Sequence, residues 1–369
     1  MLAKSEKEFV ELFNTIEDPR EDERILHPLP EILFLAIVGV LSCAESWREI
    51  VRYGNMNIDF LRTYFPFTNG IPSKSLLSRV FGIIDKKSME GFLIEFAAWF
   101  QKKDIEEEII ALDGKRIKGS NVHLLHALAT RCGIVLAQVD IENKINESAE
   151  IPGMLEKLNI EGAIVTADAL NCQKAIAEKI REKGAHYFLA LKGNQGILYE
   201  DAQSYFLSRD KMDYYEEINK EHGRLEVRRC WSTGSIEWLK KEHPEWKDLK
   251  SVCYIERERH IKGSISKEIA LYITSTEAIA SKHLYYSRQH WGVENKLHWV
   301  LDVVFSEDRT ALRAKNAAQN MAIIRKLVIN MIKRYKQARE DETAIKTMRK
   351  VSSWSTKSTK EILKHMVAN

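Results

Sequence analysis

Four apolar residues, Ile109 to Leu112, run without a break and stop at Asp113-Gly114-Lys115. So short a run, bounded by glycine, reads as a buried strand. A carboxylate at the tip of such a strand is held rigidly and faces a crevice. The run also marks a change of pattern. Upstream the chain reads as helical; downstream strands and helices alternate.

Residues 1–104 form a helical region. Leu29 to Cys43 is apolar nearly all round and predicts a central helix. Trp47 to Tyr53 and Asp59 to Phe65 read as short amphipathic helices, and Ser73 is a candidate N-cap for a helix over Leu76 to Ile84. Such a block serves either as a DNA-end-binding module or as a packing collar, and its acidity weighs against the first use. Over residues 105–198 the pattern gives the strand at Ile109, then a hairpin of His123 to Ala129 and Ile134 to Ile141 around Thr130-Arg131-Cys132-Gly133. A helix follows from Pro152 to Leu158, a strand from Ala163 to Thr166, a helix from Ala169 to Lys183 ended by Gly184, and a strand from Tyr187 to Leu191. Three strands in sequence followed by strand–helix units fit an RNase H-like α/β core, a mixed sheet with helices, better than a doubly wound sheet. Residues 199–280 alternate in polarity and read as a β-rich insertion. Residues 281–337 return to helix as the second part of the core, and 338–369 form a basic tail. Lys333 to Thr359 is polar, with edges expected to be mobile.

The net charge of +3 conceals an asymmetry: −6 over residues 1–108, −2 over 109–308 and +11 over 309–369. A tail this basic suits a polyanionic partner such as double-stranded DNA, or is a solvated helix face. The five cysteines are scattered and odd in number, which fits a reducing cytoplasm. No signal peptide or membrane-length apolar run is present.

A second acid, Asp168, ends the run Ile164-Val165-Thr166-Ala167, on a strand expected to neighbour the first. Either acid alone could simply cap a helix. A third, Glu294, lies one position from the stripe Val293, Leu297, Val300, Val304 on a predicted helix over Tyr286 to Phe305. His290 and His298 flank it one turn away, a spacing that differs from zinc-protease motifs. Three oxygen donors suit Mg²⁺, or Mn²⁺, rather than zinc, and two such ions can drive in-line phosphoryl transfer. Glycoside hydrolysis also uses paired acids, but the basic tail favours phosphodiesters. Lys115, Lys118, Lys192 and Arg288 stand near the same strand ends and helix, where they could hold phosphates, or serve as solvated surface residues. His290 and His298 are counted with them. Trp291 and Trp299 read as core rather than as platforms for bases. No nucleotide-binding glycine loop or nucleophile elbow occurs.

At these residues the sequence resembles the DDE transposases of bacterial insertion sequences, in particular the H-repeat-associated group. The matching stretches are Leu112-Asp113-Gly114-Lys115 with Lys118-Gly119-Ser120, Val165 to Ala169 with Cys172-Gln173, Leu189 to Gln195, His222-Gly223-Arg224 with Glu226 and Arg228, and the long block Arg288 to Val303 with Phe305, Glu307 and Asp308. The resemblance runs from about residue 18 to about residue 335. It implies an RNase H-like core, Asp113, Asp168 and Glu294 as catalytic, metal-binding triad, Mg²⁺-dependent cleavage at element ends, and strand transfer into target DNA by a protein that is at least dimeric on DNA. The chain departs from the group at Lys74-Ser75-Leu76 and at Ile145. It has Leu301 where related transposases carry a lysine. Those departures bear on recognition of DNA ends and leave the triad intact. A DNA-binding copy without catalysis, or a metal-dependent nuclease that does not join strands, are the alternatives.

Overall fold

The computed structural model describes residues 4–21, 25–99, 107–141, 147–221, 223–261, 264–309 and 312–365. The departure at Ile145 and the His222 of the matching motif lie outside these residues.

Six helices come first: α1 Lys4–Leu12, α2 Leu29–Leu41, α3 Trp47–Met56, α4 Ile58–Leu61, α5 Lys74–Ile83 and α6 Lys86–Ala98. Three of them start where a side chain caps the first turn, and α2 starts at Pro28-Leu29 without a side-chain cap. Ser46 and Glu49 form a capping box on α3, and Ser73 and Asp85 cap α5 and α6 by accepting from Leu76 and Ser88. Helix α2 is buried on nearly every side. Its Glu31 is buried too, satisfied by the backbone N–H of Phe67 at 2.6 Å.

The sheet has nine strands in the order β3-β2-β1-β4-β5-β9-β8-β7-β6. Strands β1 (Ile109–Ile117), β2 (Val122–Ala129) and β3 (Ile134–Ile141) form an antiparallel meander, and β4 (Ile164–Ala167) and β5 (His186–Leu191) lie parallel to β1. This is an RNase H-like α/β core. Helices α7 (Glu147–Glu156), α8 (Lys174–Glu182) and α9 (Gly196–Ser204) follow β3, β4 and β5. Helix α7 starts well before the Pro152 expected to open it; Pro152 sits inside the helix. Strands β6 (Asp213–Glu221), β7 (Arg224–Thr233), β8 (Ser251–Ile261) and β9 (Ser264–Thr274) are antiparallel, with the short α10 (Glu237–Glu242) between β7 and β8. Because β9 pairs with β5, this segment lengthens the core sheet instead of forming a separate body.

Helix α11 (Ala280–Val293) runs on into two wide π-type turns, Glu294–His298 and Val300–Val304. The expected stripe of Val293, Leu297, Val300 and Val304 is buried, as is Leu301, which packs in the core where a lysine would not. Helices α12 (Ala317–Arg339), α13 (Ile345–Trp354) and α14 (Thr356–His365) complete the chain. The polar segment expected to have mobile edges is largely helical, because Ile345, Met348, Ile362 and Leu363 join the core of the N-terminal helices.

Strand alternation divides the packing. Ala111 packs with the N-terminal helices, the π-type turns and α12, whereas Ile110 and Leu112 pack with α7 and α8 on the other face. At the β3 edge, Asn330 of α12 accepts from the N–H of Val135 at 2.8 Å and donates to its carbonyl at 2.9 Å. Asn330→Ala leaves both buried groups without these partners and should destabilise the chain by about 2 kcal/mol in urea unfolding.

Candidate active site

The parallel register pairs Leu112 with Ala167. Asp168 follows the end of β4, whereas Asp113 lies inside β1, which runs on to Ile117 paired with β2. The two acids stand side by side where the parallel pairing of β1 with β4 stops, and the strand tip expected at Asp113 is not observed. Asp168 also does what a lone acid commonly does: its Oδ1 caps a single 3₁₀ turn by accepting from Asn171 N–H at 3.1 Å. Asp113 Oδ1 accepts from the Gly114 N–H at 2.9 Å. Glu294 is solvent-exposed at the junction of α11 and the first wide turn.

These acids share one electrostatic field. Burial, then the negative charges of Asp168 and Glu147, push the Asp113 carboxyl up to about 7; Glu294 adds in the same direction and the Gly114 N–H opposes. Glu147 was not among the expected site residues. It is the first residue of α7, buried, and its Oε1 accepts from Asn171 Nδ2 at 2.7 Å. A helix N-terminus favours an acid there. Its approach explains Gly114: a Cβ at that position would lie 2.5 Å from Glu147 Oε2. Close approach at Gly114 is thus taken up by a carboxylate.

The two histidines do not serve as cations. Burial pushes His290 and His298 down to about 4. His290 Nδ1 lies 3.1 Å from Thr166 Oγ1 on β4, and His298 Nδ1 lies 3.6 Å from Asp113 Oδ2, with His126 3.4 Å beyond its other nitrogen. Both rings are packed against the strands that carry the acids, His290 on β4 and His298 on β1.

Lys115 is paired inside the protein. Its ammonium is buried, 2.7 Å from Asp302 and 2.9 Å from Glu307. Burial opposes its charge, but these carboxylates hold it above its usual range. Lys118 is exposed beside Asp308, and Lys192 is exposed just after β5. The loop after β5 is fastened to the one after Asp168 by Asn194 Nδ2 to Ala169 O and Gln195 Nε2 to Cys172 O, both 2.7 Å. Arg288 pairs with Glu217 at the rim of a cleft of about 420 Å³. Arg224, Arg228, Arg257 and Arg259 of the insertion line that cleft, and Glu294 stands at its edge. Trp291 and Trp299 are 45% and 55% exposed, not core; Trp291 lines the same cleft.

Sequence comparison agrees with this architecture. A model described as "Transposase DDE domain" matches residues 77–331, and "DDE_Tnp_1-associated" matches residues 10–97. The chain belongs to the DDE transposase family. It is 35% identical over 372 residues to "Putative transposase YncI" of Escherichia coli O157:H7, covering 96% of this chain and 94% of that one. It is 36% identical over 342 residues to "H repeat-associated putative transposase YhhI" of Escherichia coli strain K12, covering 88% and 90%. A piggyBac transposase solved as a synaptic complex with hairpin DNA aligns at 10% identity with a TM-score of 0.46, over 98% of this chain and 82% of that one. Among the described residues no helix of this transposase-family chain is long and apolar enough to cross a membrane.

Two predictions follow from the acid cluster. Gly114→Ala drives a Cβ into Glu147 and should cost about 1–3 kcal/mol in urea unfolding. The raised pKa of Asp113 means that the fold favours its neutral form. Its contribution to stability is greatest below the unfolded value of 3.8 and is lost as pH rises through about 7. Asp113→Asn should therefore raise the metal-free melting temperature by about 2–4 °C at pH 8 and leave it little changed at pH 4, read by calorimetry.

Proposed function

We propose that this chain is a DNA transposase that cuts phosphodiesters at the ends of its element and joins the freed 3′-hydroxyl to target DNA, with Asp113, Asp168 and Glu294 as its catalytic acids. The observation that carries the reading is the placement of Asp113 and Asp168 side by side where the parallel pairing of β1 with β4 stops, with Glu294 near enough to act on the charge of Asp113.

The donor set fits a hard divalent ion such as Mg²⁺ or Mn²⁺: carboxylates dominate, and burial followed by like charge has lifted one of them towards neutrality, a cost that a bound cation would relieve. Among the described residues no group of three or more His, Cys, Asp or Glu side chains is placed to hold a metal ion. Ions bound here would supply activation of the attacking hydroxyl and stabilisation of the leaving oxygen. The protein's own residues do the rest. Asp113 and Asp168 are fixed by strand pairing and by backbone N–H groups. Neutral His290 and His298 brace β4 and Asp113 without adding positive charge that would compete for the carboxylates. The arginines of the cleft, with Lys118 and Lys192, offer guanidinium and ammonium groups to the DNA backbone on either side. Because binding would rest on such groups, affinity should fall steeply with salt. Two element ends call for at least two copies of the chain on DNA.

The test uses purified full-length chain, labelled DNA carrying the repeats that flank the gene, and Mg²⁺ or Mn²⁺. Joined products are expected. Asp113→Ala, Asp168→Ala and Glu294→Gln should each lower the cleavage rate by on the order of 10³-fold while DNA binding persists. Cutting without joining would reduce the activity to that of a nuclease. Binding without either reaction, unchanged by Asp113→Ala, would sink the catalytic reading.

A further inference from the structure

Asp113 and Lys115 alternate on β1 and so point to the same face. Opposite them, Glu294, His298 and Asp302 recur at a spacing of four on the helix that follows α11. The two rows meet: His298 lies 3.6 Å from Asp113, and Asp302 lies 2.7 Å from Lys115. In an α-helix of 3.6 residues per turn, a row at spacing four drifts steadily around the axis. Here the segment is wound as two π-type turns, Glu294–His298 and Val300–Val304. Turns closed by i→i+5 bonds hold more than four residues, which opposes the drift and keeps the row facing β1.

We propose that the Lys115–Asp302 contact, backed by Glu307 and Arg325, is a positioning lock that sets Glu294 beside Asp113. Neither residue touches DNA or metal in this scheme; both act by fixing β1 against the helix after α11, and so position the acids Asp113 and Glu294 that those elements carry. The inference rests on the proposed function for the identity of those acids.

The lock is buried and specific. Lys115 and Glu307 are buried, and Glu307 Oε1 also faces Arg325 Nη1 of α12 at 3.7 Å. Buried ion pairs are poor sources of net stability, because desolvation offsets their attraction, whereas breaking one leaves a charge stranded. A well-packed apolar contact would hold a strand and a helix together as firmly. It would not specify their register as an ammonium seated between Asp302 and Glu307 does. Register matters here because a shift of about 1 Å in a reacting group can cost on the order of 10²-fold.

The experiment measures Mn²⁺ binding to the full chain without DNA, by loss of the free-ion paramagnetic resonance signal. The variants are Lys115→Met, Asp302→Asn, Asp113→Ala and, as a control destabilised elsewhere, Asn330→Ala. Lys115→Met and Asp302→Asn should weaken Mn²⁺ binding by about 10–100-fold, as removal of groups that orient metal ligands does. Lys115→Arg should restore part of the loss. Asn330→Ala should bind as wild type, which separates positioning from general loss of stability. Should Lys115→Met fail to fold, Asp302→Asn decides, since Asp302 lies at the more exposed edge of the cluster. Wild-type affinity in folded Asp302→Asn, with Asp113→Ala defective, would overturn the lock and spare the proposed function. Mn²⁺ binding unaffected by Asp113→Ala would overturn both.

Discussion

Parallel pairing of β1 with β4 imposes the constraint around which the structure is built. It sets two carboxylates side by side at one end of the sheet, and α7 delivers a third charge, Glu147, beside them. A fold gains nothing from such a cluster: each acid raises the cost of ionising the next. The surroundings are arranged to tolerate it without neutralising it. Beside the backbone N–H groups of Gly114 and Asn171, the basic side chains next to these strands are imidazoles held neutral chiefly by burial. The nearest lysine, Lys115, is spent on Asp302 and Glu307. The arginines stand farther out, along the cleft of the insertion. That leaves the acids short of compensating positive charge.

Much of this was legible in the sequence because it rests on local pattern. The apolar run ending in Asp168 marked a strand end, Thr130 to Gly133 marked the hairpin, and the stripe from Val293 to Val304 marked the helix beside them. The run ending in Asp113 marked a strand but not its end, because β1 continues to Ile117 on its β2 side. What was missed depends on side chains far apart in sequence. Glu147 escaped notice because Pro152 suggested a later start for α7, and with the helix start misplaced the acid at its N-terminus had no location. Lys115 beside Asp113 looked like a phosphate contact until Glu307, 192 residues away, claimed it. Burial is the main cause that lowers the pKa of His290 and His298, with cations such as Arg257 and Lys115 adding to it, and neither is written in their spacing.

The basic C-terminal region teaches the same lesson. Its charge of +11 suggested a contact arm, yet several of its cations work inside the molecule. Arg325 faces Glu307, Lys326 is fully buried, and Arg349 donates to the carbonyls of Val40 and Val304 while its guanidinium lies 4.1 Å from the Phe305 ring. Net charge counts these groups as though they were all at the surface. Arg349 ties α2 and the end of the wide-turned segment to α13, so the N-terminal helices and the C-terminal tail meet around the helix that carries Glu294. Helices α2 and α12 and the stripe from Val293 to Val304 share one hydrophobic core.

The insertion shows how one antiparallel sheet can carry two electrostatic characters. Arg229 points to one face and is matched by Glu216, Glu256 and Glu258, a network closed on itself. Residues on the opposite face are matched less evenly. Arg228 sits directly across from Arg257 in the β7–β8 register, an arrangement that costs stability unless acids or an anion relieve it. Glu226 relieves Arg228, and Glu268 lies 3.5 Å from Arg257. Arg257 is further fixed by donating to Tyr272 and Ser287, which aims it at the cleft. Since β9 is bonded to β5, this face is carried by the same sheet as the acids, and the arginines cannot move independently of Asp113 and Asp168. A separate domain on a flexible linker would have supplied the same charge without the fixed distance, and in-line chemistry on a phosphodiester depends on that distance.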